Sequence, residues 1–194
     1  EEGKDIMGRG VREGEEQEGE CLFICWGYEE HRALHRVGGR QRQVCIGDRL
    51  AEVDALVRPG DRVFDVGCGS GILTVAALLL GAEHAIGVDV EDAAVAVSEE
   101  NAELNGVAGR LDVSTRPMHL IEGKFDLVLA NIQAPILIDM AEALCARTKR
   151  VLVLSGVLED RLDEVVAAFA EVDASFEVRV TAEGEWRAIV LTRA

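Results

Sequence analysis

The sequence predicts an α/β fold, a doubly wound and mostly parallel sheet with helices on both faces, and three observations carry that prediction. Short apolar runs alternate with segments of helical period from residue 46 to about residue 172. A glycine-rich turn, "GCGSG" at residues 67–71, follows the first apolar run and opens a helix, which is where sheets of this kind hold ligands. The last two strand-like segments, "FEVRV" and "WRAIVLTR", are separated only by "TAEGE", so they close as a β-hairpin. Alternating β and α units imply a parallel sheet covered on both faces, to which the hairpin adds an antiparallel edge.

Each element has its own signal. Ile46, Leu50, Val53 and Val57 fall on one helical face, and "RPG" at residues 58–60 ends that helix. "RVFDVGC" reads as a buried strand. "GILTVAALLLG" is a helix too apolar for a surface position, and "HAIGVDV" is the second strand. Asp92 is expected to cap a helix whose inner face carries Ala94, Val97 and Leu104, with Gly106 as its stop. A weaker strand lies near Leu111 to Ser114, and "FDLVLANI" is the fourth. Pro135 opens a helix with Leu137, Met140, Ala141 and Leu144 inward, "RVLVLSGV" is the fifth strand, and Leu162, Val165, Val166 and Phe169 mark the last helix at i, i+3, i+4 and i+7.

A chain of 194 residues that is 48% hydrophobic is the size of one such domain. No run approaches the roughly 18 apolar residues of a membrane span, and no secretory leader opens the chain, so we expect a cytoplasmic protein that does not enter the membrane. The five cysteines are odd in number and scattered, which fits free thiols in a reducing compartment. A net charge of −16 repels nucleic-acid phosphates and attracts cationic partners, so direct nucleic-acid binding is not expected and a basic protein is.

Composition divides the chain into three. Residues 1–20 hold eight acidic residues and five glycines, too little apolar surface to offset ordering entropy, and are expected to form a disordered tail. Residues 21–45 form an atypical segment, and residues 46–194 the α/β domain. Cys21, Cys25, His31 and His35 are ligand types that suit zinc, but the spacer of five residues between Cys25 and His31 is too short for a finger. No metal is expected; Leu22, Phe23, Trp26 and Tyr28 of that segment are expected to pack on the domain.

The glycine turn then points to a ligand. Gly67, Gly69 and Gly71 form G-x-G-x-G, but Ile72 stands where a dinucleotide fingerprint wants Gly or Ala. Asp65, two residues before the first glycine, would repel a pyrophosphate and suits a cationic ligand bearing an amino acid. Asp89 lies near the end of "GVDV", 22 residues after Gly67, where a carboxylate can accept hydrogen bonds from both ribose hydroxyls. A positively charged nucleoside with an amino-acid tail describes S-adenosylmethionine. The alternative is that Asp65 and Asp89 are merely solvated strand ends. Asn131 ends the fourth strand across the switch point, where its side-chain carbonyl could accept a hydrogen bond from an amine or, alternatively, cap the helix that Pro135 opens.

Over residues 55–194 the segments "DVGCGSGIL", "GVDVEDAAVAVSEENAELNGV", "FDLVLANI", "LSGVLEDRLDEVV" and "GEWRAIVL" resemble the catalytic domain of the PrmA family, bacterial class I (Rossmann-like) methyltransferases that modify protein eleven of the large ribosomal subunit. The resemblance implies seven strands ordered 3-2-1-4-5-7-6 with the seventh antiparallel. It implies that Gly67 and Gly69 face the methionine part of the cofactor, that Asp89 holds the ribose and that Asn131, the expected catalytic residue, contacts the cofactor and lies between it and the substrate; Asp65, Cys68, Gly71 and Val90 are expected to complete the cofactor contacts. The family carries a separate N-terminal substrate domain, and the residues that precede the resemblance here are expected to be too few to form one. "HRVGGRQRQVC" at residues 35–45 stands where the family has Phe-Gly-Thr-Gly-x-His-Pro-Thr-Thr. The expected function is methyl transfer to lysine or N-terminal amines of a ribosomal protein. The alternatives are lysine methylation of another protein, methylation of a small molecule, and a non-catalytic module that only binds S-adenosylmethionine. Base methylation is disfavoured because Ile132, Gln133 and Ala134 follow Asn131 and supply no aromatic for stacking.

Overall fold

The computed structural model describes residues 50–193. The expectations for residues 1–20 and 21–45, including the Cys21, Cys25, His31 and His35 constellation, lie outside the described residues, as does Ile46. Residues 50–56 are helical (α1). There follow β1 (Arg62–Val66), α2 (Ile72–Leu79), β2 (His84–Val88), α3 (Asp92–Leu104), β3 (Leu111–Ser114) and β4 (Phe125–Asn131). The chain continues through α4 (Ala134–Asp139), α5 (Ala141–Arg147), β5 (Thr148–Leu158), α6 (Leu162–Val172), β6 (Phe176–Glu183) and β7 (Trp186–Arg193). Among the described residues, seven strands form one sheet in the order β3-β2-β1-β4-β5-β7-β6, parallel from β3 to β5, with β7 antiparallel to both of its neighbours. The predicted order holds, and it places the switch point between β1 and β4.

Strand parity sorts the core into two layers. Val63, Leu127, Leu129, Val151 and Val153 face α1 and α2, while Phe64, Val128, Ala130, Leu152 and Leu154 face α4, α5 and α6. α2 is buried from Ile72 through Leu78, which explains its uniform apolarity: it lies flat on the sheet with no side left for water. Where α1 meets the far edge, Arg179 of β6 donates to both carboxylate oxygens of Glu52, at 3.0 and 2.6 Å. That bidentate pair fastens the first described helix to the edge strand, and hydrogen bonding to Glu52 raises the Arg179 pKa further.

Three local expectations need correction. Glu91, not Asp92, is the N-cap of α3; Asp92 is the first helical residue and makes no capping bond, although its carboxylate remains in the turn that the helix dipole favours. On α3, Ala94 is buried as expected, but Val97 is half-buried and Leu104 is 50% exposed; Ser98, Asn101 and Ala102 point inward instead. The helix is rotated so that polar groups meet the carbonyls of the glycine turn. The helix opened by Pro135 is two short helices that meet at Met140 (φ −98, ψ 1). Leu137, Ala141 and Leu144 remain buried across the break, because both pieces rest on the same sheet face.

Candidate active site

The β1–α2 turn is built by left-handed glycines: Gly67, Gly69 and Gly71 have φ of 72, 57 and 70°. The backbone N–H groups of Gly67 and Cys68 both donate to the Val88 carbonyl, at 2.8 and 3.1 Å, and tie the turn to the end of β2. At Gly67 a side chain is excluded twice, by the positive φ and because a Cβ would strike Cγ2 of Ile132, the residue after Asn131. That contact brings the tips of β1 and β4 together. At Gly69 a Cβ would meet nothing within 4 Å, so the backbone there faces open space of the kind a bound ligand needs.

The predicted residues separate into two groups. Asp89 is half-buried; its Oδ2 accepts from Gly69 N–H at 2.8 Å and its Oδ1 from Glu91 N–H at 3.1 Å. A carboxylate has about four acceptor positions, so capacity remains on both oxygens. Beside it Val90 is 94% exposed, an apolar side chain held out at the strand tip. Asp65 is only 1% exposed and lies under the turn, where its Oδ2 accepts from the Thr74 hydroxyl at 2.7 Å; it faces α2. Cys68 is buried, with its Sγ 3.8 Å from the Ser98 hydroxyl. Burial first, then the charge of Asp65, pushes its thiol up to about 12, so it stays protonated and is no nucleophile.

Asn131 is half-buried at the end of β4, and its Oδ1 accepts from the Ser155 hydroxyl at 3.2 Å. The N-cap of the following helix is Gln133, without a side-chain capping bond, so the capping alternative for Asn131 is not what the structure adopts.

Sequence reasoning missed four residues that hold the turn and the β4 tip: Thr74, Ser98, Asn101 and Ser155. Ser98 Oγ donates to the Gly69 carbonyl at 2.9 Å and Asn101 Nδ2 to the Ser70 carbonyl at 2.8 Å. The available signal was polarity in the wrong place. Ser98 and Asn101 stand three residues apart on the helix face that carries Ala94 and Ala102, where a purely structural helix would be apolar.

The family model described as "Ribosomal protein L11 methyltransferase (PrmA)" matches residues 44–194. The ribosomal protein L11 methyltransferase of Geobacter sulfurreducens is 46% identical over 143 residues, 73% of this chain and 46% of that protein. The Myxococcus xanthus protein of the same name is 41% identical over 146 residues, 74% of this chain and 50% of that one. The chain spans about half the length of the curated relatives it matches. Among solved structures, a ribosomal protein L11 methylase from Lactobacillus delbrueckii subsp. bulgaricus superposes with a TM-score of 0.69 at 32% identity, over 80% of each chain. The magnesium protoporphyrin IX methyltransferase of Synechocystis with bound SAM gives a TM-score of 0.63 at 20% identity over 82% of this chain and 86% of that one, a likeness of fold. With the strand order, the glycine turn and the match over residues 44–194 in agreement, the chain belongs to the ribosomal protein L11 methyltransferase (PrmA) family.

Proposed function

We propose that this chain transfers methyl groups from S-adenosylmethionine to amine nitrogens, of lysine or of an N-terminus, on a protein substrate in the cytoplasm, with ribosomal protein L11 as that substrate. The observation that carries the reading is the juxtaposition, in a chain of this family, of the pinned glycine turn and Asp89 with Asn131 one strand away. The residues present fit the cofactor. The backbone at Gly69 is open, Asp89 keeps acceptor capacity for ribose hydroxyls, and Val90 offers an apolar surface to a base. Asp65 sits beneath the turn and contributes a negative field instead of a direct contact.

S-adenosylmethionine, when bound, supplies a methyl group made electrophilic by the sulfonium charge. The protein's own task is alignment and desolvation, because a methyl displacement needs an in-line approach and an unprotonated nitrogen. A lysine amine ionises near ~10.4 in water, and burial disfavours its charged form. Asn131 Oδ1 would accept an N–H from that amine and so turn its lone pair toward the methyl group. The net charge of −16 favours a basic partner and opposes nucleic acid.

The test has two arms. Saturating S-adenosylmethionine should raise the melting temperature, since a ligand at a hundred times its Kd adds about 2.7 kcal/mol. Labelled cofactor should then mark purified ribosomal protein L11. No shift and no label would sink the reading. Label on another protein of a cell extract, with L11 unmarked, would replace the substrate and keep the chemistry; turnover on any acceptor eliminates a purely binding module.

A further inference from the structure

Ser155 brings a hydroxyl to the site from a position where a polar group is costly. It is 4% exposed, in the fifth strand among Val153, Leu154 and Val157. Burying a hydroxyl without a partner is unfavourable, so the partner it has is informative. The parallel register sets Ser155 directly beside Asn131, and its Oγ lies 3.2 Å from Asn131 Oδ1. On its other side the ladder to β7 is interrupted: Leu154 pairs with Ile189 and Val157 with Arg187, which leaves Ser155 and Gly156 in the irregularity between them. Gly156 has φ of 80°, and a Cβ there would lie 3.0 Å from the same Asn131 Oδ1. Both residues of the bulge therefore converge on one atom.

That atom matters because an asparagine amide can turn about its last torsion and exchange a carbonyl oxygen for an NH₂ group, an acceptor for donors. A site that must offer an acceptor to an amine therefore gains from a restraint on that torsion. We propose that Ser155 is a positioning residue: its hydroxyl, which donates to Oδ1, restrains the Asn131 amide against rotation at the β4 tip, and glycine at 156 keeps the space beside the carbonyl oxygen clear. One lone pair of Oδ1 is taken by Ser155 and the other is left for the incoming amine. The proposal rests on the reading of Asn131 as the residue that orients the acceptor.

The test uses the full 194-residue chain, labelled S-adenosylmethionine and purified ribosomal protein L11, in a double-mutant cycle of Ser155→Ala and Asn131→Ala. NMR of the Asn131 side-chain amide runs in parallel. Ser155→Ala should lower kcat about tenfold, the scale of one lost hydrogen bond of about 1.4 kcal/mol. KM for L11 and Kd for the cofactor should stay within about twofold of wild type. In the Asn131→Ala background the same change should cost nothing further. The Asn131 amide should lose order on the ps–ns timescale in Ser155→Ala and recover it in Ser155→Thr, which keeps the hydroxyl. Should the alanine variant fail to fold, Ser155→Cys supplies a similar volume with a weaker donor. An Asn131 amide as ordered in Ser155→Ala as in wild type overturns the proposal, and so does an additive loss in the double mutant. If Asn131→Ala leaves kcat unchanged, the functional reading of Asn131 falls, while the NMR arm still decides whether Ser155 orders that side chain.

Discussion

Two loops at the carboxyl end of the same sheet are built by opposite means. The β1–α2 turn is held by the Val88 carbonyl, which accepts from the Gly67 and Cys68 N–H groups, by Asp89 on Gly69 N–H, and by Ser98 and Asn101 on the Gly69 and Ser70 carbonyls. Every one of those bonds uses a main-chain group of the turn, so its shape does not depend on the turn's own side chains. The β4–α4 connection is held differently. Asn131 receives one side-chain bond from Ser155, the helix that follows is short and ends at Met140, and Ile136 on it is 46% exposed. In the proposed function the first loop meets the same small molecule at every turnover, whereas the second must admit a protein side chain. A rigid cradle suits the former, and an exposed apolar margin suits the latter.

The comparison can be broken most severely at Gly67, where the two loops touch. Gly67→Ala should cost about 2–4 kcal/mol, the sum of a left-handed alanine and an overpacked contact with Ile132. Thermal unfolding should show that loss, and calorimetry an accompanying loss of cofactor binding. Adding Ile132→Ala should recover the part due to the clash; no recovery would mean that the conformational strain alone accounts for the effect.

The next pair separates the halves by kind. Asn131→Ala should lower turnover on the order of a hundredfold with cofactor affinity nearly unchanged, because in the proposed function its contact is made to the acceptor. Asp89→Ala should do the reverse and weaken cofactor affinity roughly tenfold or more, since charge-assisted bonds are lost. Equal small effects of both variants on both quantities would end the division.

The glycine turn also carries an alkaline signature. Its thiol ionises near 9.0 when the chain is unfolded but only at about 12 when folded, chiefly through burial. Cys68 should therefore contribute fully below pH 9 and lose about 1.4 kcal/mol of stability per pH unit above it, until the folded thiol itself ionises. Comparing urea midpoints of wild type and Cys68→Ala between pH 8 and 10.5 isolates this slope; parallel curves would refute it. The smallest effect is expected from Asn101→Ala, about 1 kcal/mol for one bond to the Ser70 carbonyl, read as a shift of a few degrees in melting temperature.

The sheet was legible in the sequence because apolar period and turn chemistry are local. "RVFDV" and "HAIGV" can only be buried strands between a glycine stop and a helix, and Leu111 to Ser114 reads correctly even as the weakest strand. The glycine turn and the acidic strand tip were legible for the same reason: both are defined by spacing along the chain. What stayed hidden depended on how elements rotate about their own axes and which strand lies beside which. Helical period alone puts Leu104 inside and does not single out Ser98 or Asn101, because it gives a stripe but not the azimuth at which the helix docks. Tertiary packing set that azimuth by bringing buried polar groups to the turn carbonyls, which would otherwise be left unpaired. The link from Ser155 to Asn131 spans 24 residues and follows only from the parallel register of β4 and β5, a neighbour relation that no local pattern encodes. The sequence by itself therefore determined the order of elements, the place of the glycine turn and the family. The tertiary structure alone decided which side chains hold that loop and the Asn131 amide in place, because those partners meet only when the strands and helices are side by side.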